Sequence, residues 1–446
     1  MQIDQLTIED TTIQALGPAK IKSPIRRAGQ VGGEACFQPE DGRVLLSIDA
    51  NQLAGDFKAG RQPLAFEKAG PRGNIFFDPS KLRCAMVTCG GLCPGLNDII
   101  RAIVLELHFG YGVRNIYGIR YGLAGFIPRY GYDVVDLEPS MVADIQGMGG
   151  SMLGSSRGPQ DIEEIVDCLE RMNIGILFTI GGDGTLLAAT KICDIIAQRG
   201  LKIAVVGVPK TIDNDIYLVE RSFGFDTAVE MATQAIRSAH AEAAAYPNGI
   251  GLVKLMGRHS GFIASHAALA QQDVNFVLIP EVDFDLEGPQ GLLAALEERL
   301  IQRGHAVIVA AEGAGQHFFE GHDQRDASGN LRLHDIGIHL KSVIEKHFSQ
   351  KGAEINLKYI DPSYMIRSLP ANSNDNVFCS FLARNAVHAG MAGKTRVLVG
   401  YWNNQFVHVP MDASAGKRKR VTGSGNLWMS VLEATGQEDL RNDPKG

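Results

Sequence analysis

Ile174-Gly175-Ile176-Leu177-Phe178-Thr179-Ile180-Gly181-Gly182-Asp183-Gly184-Thr185 is the stretch on which the fold turns. The apolar run from Ile174 to Ile180 reads as a buried strand. It ends in glycines, and Leu186 to Arg199 follows as a helix. Strand, glycine turn and helix make up part of a parallel α/β unit, whose ligands gather at the carboxyl ends of the strands. An aspartate held between glycines at such a turn suits a hydrated Mg²⁺ beside a polyphosphate, because the ion takes a hard oxygen and the open backbone admits the phosphate. The competing structural reading is an Asp-Gly turn that caps the next helix. The double glycine ahead of the acid, at the ligand end of the sheet, favours function.

The same grammar repeats outward from this stretch. Upstream, a strand from Cys84 to Thr88 runs into a glycine turn and a helix-like segment from Asn97 to His108; downstream, Ile203 to Val208 is another buried strand. A second series follows, with strands at Gly251 to Met256, Val274 to Ile279 and Ala306 to Ala311. Its helices are Phe262 to Ala270, one near Gly291 to Arg303, and Ile336 to Phe348. The fold class is therefore α/β, with mostly parallel sheets in two domains. Boundaries fall at 81–225 for the first domain, completed by about 368–412, and at 226–367 for the second. Residues 1–80, mixed in character with one strand-like stretch at Val44 to Ile48, read as an N-terminal arm, and 413–446 as a C-terminal tail.

Composition narrows the class of function. With 446 residues, 45% hydrophobic and 21% charged, the chain has the balance of a soluble globular protein large enough for more than one core. No apolar run reaches the roughly 18 residues that span a bilayer. Met1 to Asp10 is acidic and does not open a leader, so an unprocessed cytoplasmic protein is expected. A net charge of -7 argues against nucleic-acid binding, and the one basic run, Lys417 to Arg420, reads as a solvated turn. The seven cysteines do not form a secreted disulfide framework; Cys84, Cys89 and Cys93 cluster without the further ligand a metal site needs.

Two more turns carry chemistry. Gly90-Gly91-Leu92-Cys93-Pro94-Gly95-Leu96-Asn97 lets backbone amides approach a phosphate, although a plain tight turn would use the same glycines and the lysine of a P-loop is missing. Pro209-Lys210-Thr211-Ile212-Asp213-Asn214-Asp215 places two carboxylates two residues apart after a buried strand. One can take a proton from an attacking hydroxyl while the other supports a metal or orients the first.

With these turns, Gly154-Ser155-Ser156-Arg157, Met256-Gly257-Arg258-His259, Glu312 and Tyr364-Met365-Ile366-Arg367 occur in the order that resembles the 6-phosphofructokinases, from about Leu82 to beyond His408. The lead-in Lys358-Tyr359-Ile360-Asp361-Pro362 is similar to the ATP-using subgroup with N-terminal extensions found in plants, trypanosomes and some bacteria. The resemblance implies two Rossmann-like three-layer domains and transfer of a phosphoryl group from ATP, with Mg²⁺, to fructose 6-phosphate. It implies that Gly91, Arg157, Gly158, Gly182, Gly184 and Thr185 line the nucleotide phosphates and that Asp183 serves the metal. Asp213 is then the general base, supported by Thr211 and Asp215, with Arg157 and Arg258 offsetting transition-state charge. Thr211, Ile212, Asp213, Met256, Gly257, Arg258 and Glu312 face the sugar, and Lys358, Tyr364 and Arg367 its 6-phosphate. His259 is as well explained by structure as by catalysis. A homotetramer is the family expectation, with a homodimer as the alternative.

The chain departs from the simplest bacterial pattern at Gly249 and Lys358, where those enzymes carry arginines, so the 6-phosphate grip is built differently. Donor choice rests on two positions. Gly184 leaves room for the α-phosphate of ATP, where the pyrophosphate-using branch has an aspartate, whereas Lys210 is a lysine that branch shares. A block excludes a nucleotide and an extra lysine need not, so ATP is the expected donor and pyrophosphate the alternative. Gly-Gly-Asp-Gly-Thr also occurs in NAD and lipid kinases, which would not explain Thr211 to Asp215. A catalytically silent sugar-phosphate-binding subunit would be expected to lose Asp183, Asp213 or Asp215, all of which are present.

Overall fold

The computed structural model describes residues 6–25, 37–319, 321 and 332–443. The chain separates into two compact units. The first takes Met1–Thr211, Ile216–Gly224 and Ser368–Arg418; the second takes Ile212–Asp215, Phe225–Arg367 and Lys419–Gly446.

The first unit is built on a nine-stranded sheet. Its centre is parallel, in the order Val397–Trp402, Ala204–Pro209, Ile176–Gly181, Arg83–Thr88 and Asn115–Ile119. Ile176–Gly181 and Ala204–Pro209 are buried along their whole length, which is why they read as unbroken apolar runs: a parallel strand is covered on both faces. Leu177, Val205, Val87 and Leu398 meet in one core with Leu186 and Ile192 of the helix Asp183–Gln198. The second unit has a four-stranded, wholly parallel sheet in the order Phe276–Leu278, His305–Ala311, Gly249–Leu255, Asn356–Ile360. Ile250, Leu252, Ile308, Leu296 and Leu340 form its own core.

Several boundaries differ from the sequence reading, each for a local reason. The helix after the double glycine begins at Asp183, not Leu186, because Gly182 takes the extended cap conformation and Asp183 already lies in the first turn. The helix expected over Asn97 to His108 starts at Leu96 and passes at Glu106–Tyr111 into a π-helical turn. Gly95, which caps it, has φ +95, and a Cβ there would stand 2.7 Å from Cys379 Sγ. Only glycine fits that position. The longest helix, Phe225–Ala244, escaped sequence reading, although its buried Ala228, Ala232, Ile236, Ala239 and Ala243 keep helical spacing. Small alanines carry that face in place of large residues, so the apolar signal is weak.

Residues 37–80 extend the first sheet. Arg43–Leu45 pairs with Ala65–Lys68, and Ala65–Lys68 pairs with Gln405–Pro410, all antiparallel. The join carries a buried charge cluster: Glu67 lies 3.1 Å from both Arg72 and Lys394 and accepts from His408 Nδ1 at 2.9 Å. Burial alone would raise the Glu67 carboxyl, but His408 and Lys394 outweigh it and hold the group down to about 2. The stability tied to that shift is therefore complete above the ordinary glutamate value of 4.5 and is lost as pH falls toward 2. Glu67→Ala, which strips Arg72 and Lys394 of their nearest carboxylate, is expected to cost ~3–5 kcal/mol. An unchanged unfolding midpoint in denaturant would contradict that.

At the other end of the chain, Asn426–Thr435 is a helix in the second unit, and the Gln437 side chain bonds both backbone groups of Val277, its Oε1 accepting from the N–H at 2.6 Å. No helix among the described residues is long and apolar enough to cross a membrane.

Candidate active site

In the first unit, the carboxyl ends of three neighbouring parallel strands deliver the three turns singled out in the sequence. Gly90, at φ +83, leads the first; its carbonyl accepts from Ser155 Oγ at 2.6 Å, and its N–H donates to the Ser156 carbonyl at 3.2 Å. Thr88 Oγ1 donates to the Gly154 carbonyl at 2.6 Å, so the Gly154–Arg157 motif is laced to this turn. Lys210 is buried at 6% exposure and ties the turns together: its backbone N–H reaches the Gly181 carbonyl at 3.0 Å and its Nζ the Gly91 carbonyl at 2.7 Å. A cation is thereby fixed beneath two glycine turns.

Asp183, Gly184 and Thr185 form the first turn of a helix; the Thr185 N–H already donates to the Gly182 carbonyl at 2.9 Å, so it is the Asp183 and Gly184 amides and the positive end of the helix dipole that face an anion. Thr185 packs its side chain back over Gly181, where a Cβ would stand 2.2 Å from Thr185 Oγ1. A Cβ on Gly184 would meet nothing within 4 Å. Asp183 is oriented by the Gly416 N–H, 2.7 Å from Oδ1, and by Arg418 Nη2, 3.8 Å from Oδ2. Arg157 is exposed and Gly158 has φ +91.

Beside the Gly154–Arg157 motif lies an aromatic surface that the sequence reading passed over. Tyr121 and Tyr132 rings are 4.6 Å apart, Tyr130 stacks on Tyr132 at 5.8 Å, and Gly154 faces Tyr121 so closely that a Cβ would come within 2.8 Å. The available signal was Arg120-Tyr121 and Arg129-Tyr130-Gly131-Tyr132, tyrosines interleaved with arginines near a phosphate turn.

In the second unit, Ser260 Oγ donates to the Asp213 carbonyl at 3.1 Å and Lys419 N–H to the Asp215 carbonyl at 2.8 Å. Between them Asn214 takes φ 51 and is buried, and the preceding Ile212 is only 7% exposed, so it is the Ile212 backbone rather than its side chain that the turn can present. Gly257, at φ +129, lies so near the Ser260 carbonyl that a Cβ would approach to 2.5 Å. Its own carbonyl accepts from Gly313 N–H at 3.1 Å, which seats the Met256–Ser260 turn on Glu312 and Gly313. Burial keeps the Glu312 carboxyl above its ordinary value despite Arg258, Lys254 and Arg367 nearby. Lys254 bridges Asp335 at 2.7 Å and Asp361 at 2.9 Å, anchoring the start of the loop that carries Tyr364 and Arg367. Arg367 lies over the Tyr364 ring at 4.8 Å.

The family model for phosphofructokinases matches residues 83–390. The chain belongs to the phosphofructokinase family. It is 49% identical over 435 residues to an ATP-dependent 6-phosphofructokinase of Borreliella burgdorferi, covering 96% of this chain and 97% of that one. It is 44% identical over 419 residues to ATP-dependent 6-phosphofructokinase 2 of Arabidopsis thaliana, covering 92% and 94%. A pyrophosphate-dependent phosphofructokinase structure from Marinobacter aquaeolei matches with a TM-score of 0.66 at 18% identity, over 80% of this chain and 92% of that one. At that identity the likeness concerns the fold alone.

Within this phosphofructokinase, the first unit gathers Gly91, Gly182, Asp183, Gly184, Thr185 and Lys210 at one sheet end, with Arg157, Gly158 and Thr211 on the adjoining turns. The second unit brings Arg258, Glu312 and Arg367 near one another, with Met256 and Gly257 on the same turn as Arg258. Lys358 stands apart from these. It pairs in register with Gly251, about 13 Å short of Leu255 at the strand end, and its Nζ lies over the Tyr246 ring at 5.7 Å. Gly249 admits no side chain, since a Cβ would be 1.9 Å from the Ala243 carbonyl, so the bacterial arginine has no place in this backbone.

The basic run Lys417–Arg420 is not the solvated turn its composition suggests. Arg418 is 30% exposed and Lys419 is buried at 9%. The backbone around it is in use as well: Val421 N–H donates at 2.8 Å to Glu281, which also accepts from Gly261 N–H.

Proposed function

We propose that this chain transfers the terminal phosphoryl group of ATP to the 1-hydroxyl of fructose 6-phosphate, giving fructose 1,6-bisphosphate and ADP. Asp213 takes the hydroxyl proton, O1 forms the new bond to phosphorus, and the bond to the bridging oxygen of ADP breaks. Thr211 and Asp215 support the reacting group, and Arg157 and Arg258 offset the charge spread over its oxygens. The phosphates lie on the amides of Gly91, Gly158, Gly182, Asp183 and Gly184, with Thr185 beside them, and the purine stacks on the Tyr121 surface. Met256, Gly257, Arg258 and Glu312 hold the sugar. Tyr364 and Arg367 hold its 6-phosphate, and Lys358 completes that grip only from a second copy of the chain, consistent with a homotetramer or homodimer in the cytoplasm.

The residues fit a Mg²⁺ ion at Asp183. Among the described residues no group of three or more His, Cys, Asp and Glu gathers to cage a metal. The ion would therefore take this one carboxylate together with phosphate oxygens and water, the habit of Mg²⁺ at polyphosphates. When bound, it supplies neutralisation of phosphate charge.

The observation that carries ATP over pyrophosphate is the open space at Gly184. Fructose 1,6-bisphosphate formation, followed with ATP and with pyrophosphate in separate assays containing Mg²⁺, is the test. Turnover with ATP alone is expected; turnover with pyrophosphate alone would mean that Lys210 decides the donor, and none with either would favour a silent sugar-phosphate-binding subunit.

A further inference from the structure

The cation on Asp183 has a use that the ordered motifs do not supply. Arg418 is positioned from several sides within the first unit. The short helix Met411–Ser414 ends with Ser414 Oγ donating to the Tyr217 carbonyl at 2.6 Å, and Gly416 turns the chain at φ +77. Arg418 itself makes an antiparallel bridge with Ile216, and Lys417 is diverted over the Tyr217 ring at 5.5 Å. The result is a guanidinium whose Nη2 lies 3.8 Å from Asp183 Oδ2, against the first helical turn that carries Gly184.

A single ion pair at that distance, with both side chains partly exposed, contributes little to stability. The local chemistry gives it a better purpose. Asp183 faces a polyanion that it repels, and a planar guanidinium beside it can offer two parallel N–H groups to phosphate oxygens that approach the same helical turn. We propose that Arg418 is a donor-binding residue: it neutralises Asp183 in the empty site and passes to the phosphates of the nucleotide when the donor enters. This rests on the ATP reading above.

The test separates direct phosphate contact from a role through Asp183. ATP binding is measured by calorimetry in EDTA, so that no metal takes part, for the wild type, Arg418→Gln, Asp183→Asn and the double variant. Arg418→Gln is expected to weaken metal-free ATP binding about tenfold, the loss of one charge-assisted contact, with Arg418→Lys recovering part of it. Asp183→Asn relieves repulsion in either background, but its gain is expected to be larger when Arg418 is present to turn toward phosphate. In steady-state assays with Mg²⁺, Arg418→Gln raises the KM for ATP and leaves that for fructose 6-phosphate within about twofold. Metal-free ATP binding unchanged by Arg418→Gln, or an equal gain from Asp183→Asn in both backgrounds, would reduce Arg418 to a structural ion pair. The calorimetric arm needs no acceptor, so ATP binding without sugar phosphorylation overturns the proposed reaction while still deciding Arg418. No ATP binding by the wild type would overturn both.

Discussion

Asp213→Asn is expected to lower kcat for fructose 1,6-bisphosphate formation by ~10²–10⁴-fold, the usual share of a positioned general base. The KM values for both substrates should stay within a few-fold. The substitution keeps the side chain's size, and the loop around it is held through backbone groups: the Asp213 carbonyl by Ser260 and the Asp215 carbonyl by Lys419. The amide therefore removes a proton acceptor and leaves these backbone supports in place. A second readout follows from the chemistry. If Asp213 accepts the hydroxyl proton, the acid limb of the kcat/KM profile of the wild type belongs to it and disappears in the variant. A kcat within tenfold of wild type, with the acid limb intact, would assign the base elsewhere.

Gly184→Asp should move the enzyme away from nucleotides. A Cβ at this position meets nothing within 4 Å, and an acidic residue in the first turn of a helix is favourable, so the fold should accept it. The added carboxylate fills the open space and sets a second negative charge next to Asp183, against a nucleotide phosphate. A fall in kcat/KM for ATP of ~10²-fold or more is expected, as for a like-charge juxtaposition across an interface worth several kcal/mol. Pyrophosphate, which has no α-phosphate to place there, should be penalised less. Lys210, fixed on the Gly91 carbonyl, remains to receive it. Equal losses with both donors would show that Gly184 serves the turn and does not set donor choice.

Much of the candidate site is local in the chain, and such parts were legible. Gly181 to Thr185 and Lys210 to Asp215 each follow a strand buried from end to end, and a continuous apolar run broken by glycines or acids announces both strand and turn. Gly184 and Lys210 could be weighed for the same reason, since each lies on a turn directly after its own strand. The aromatic surface of Tyr121, Tyr130 and Tyr132 was missed because its meaning comes from Gly154, more than twenty residues away. Arg418 was misjudged because a basic run has the same composition whether it lies in water or against a carboxylate 235 positions earlier.

By itself, the sequence determined the alternation of buried strands with helices, the parallel sheets that follow from it, and the acids and glycines placed at the strand ends. These depend on interactions between near neighbours in the chain, where periodicity and turn chemistry act. Only the tertiary structure decided that residues 37–80 join the first sheet through Glu67, that Gly249 has no room for a side chain, and that Arg418 rather than solvent faces Asp183. The first and last are contacts between segments far apart in the chain, and the Gly249 constraint comes from the close approach of a strand start to the end of the preceding helix. Their energies come from desolvation and close packing, which no local pattern records.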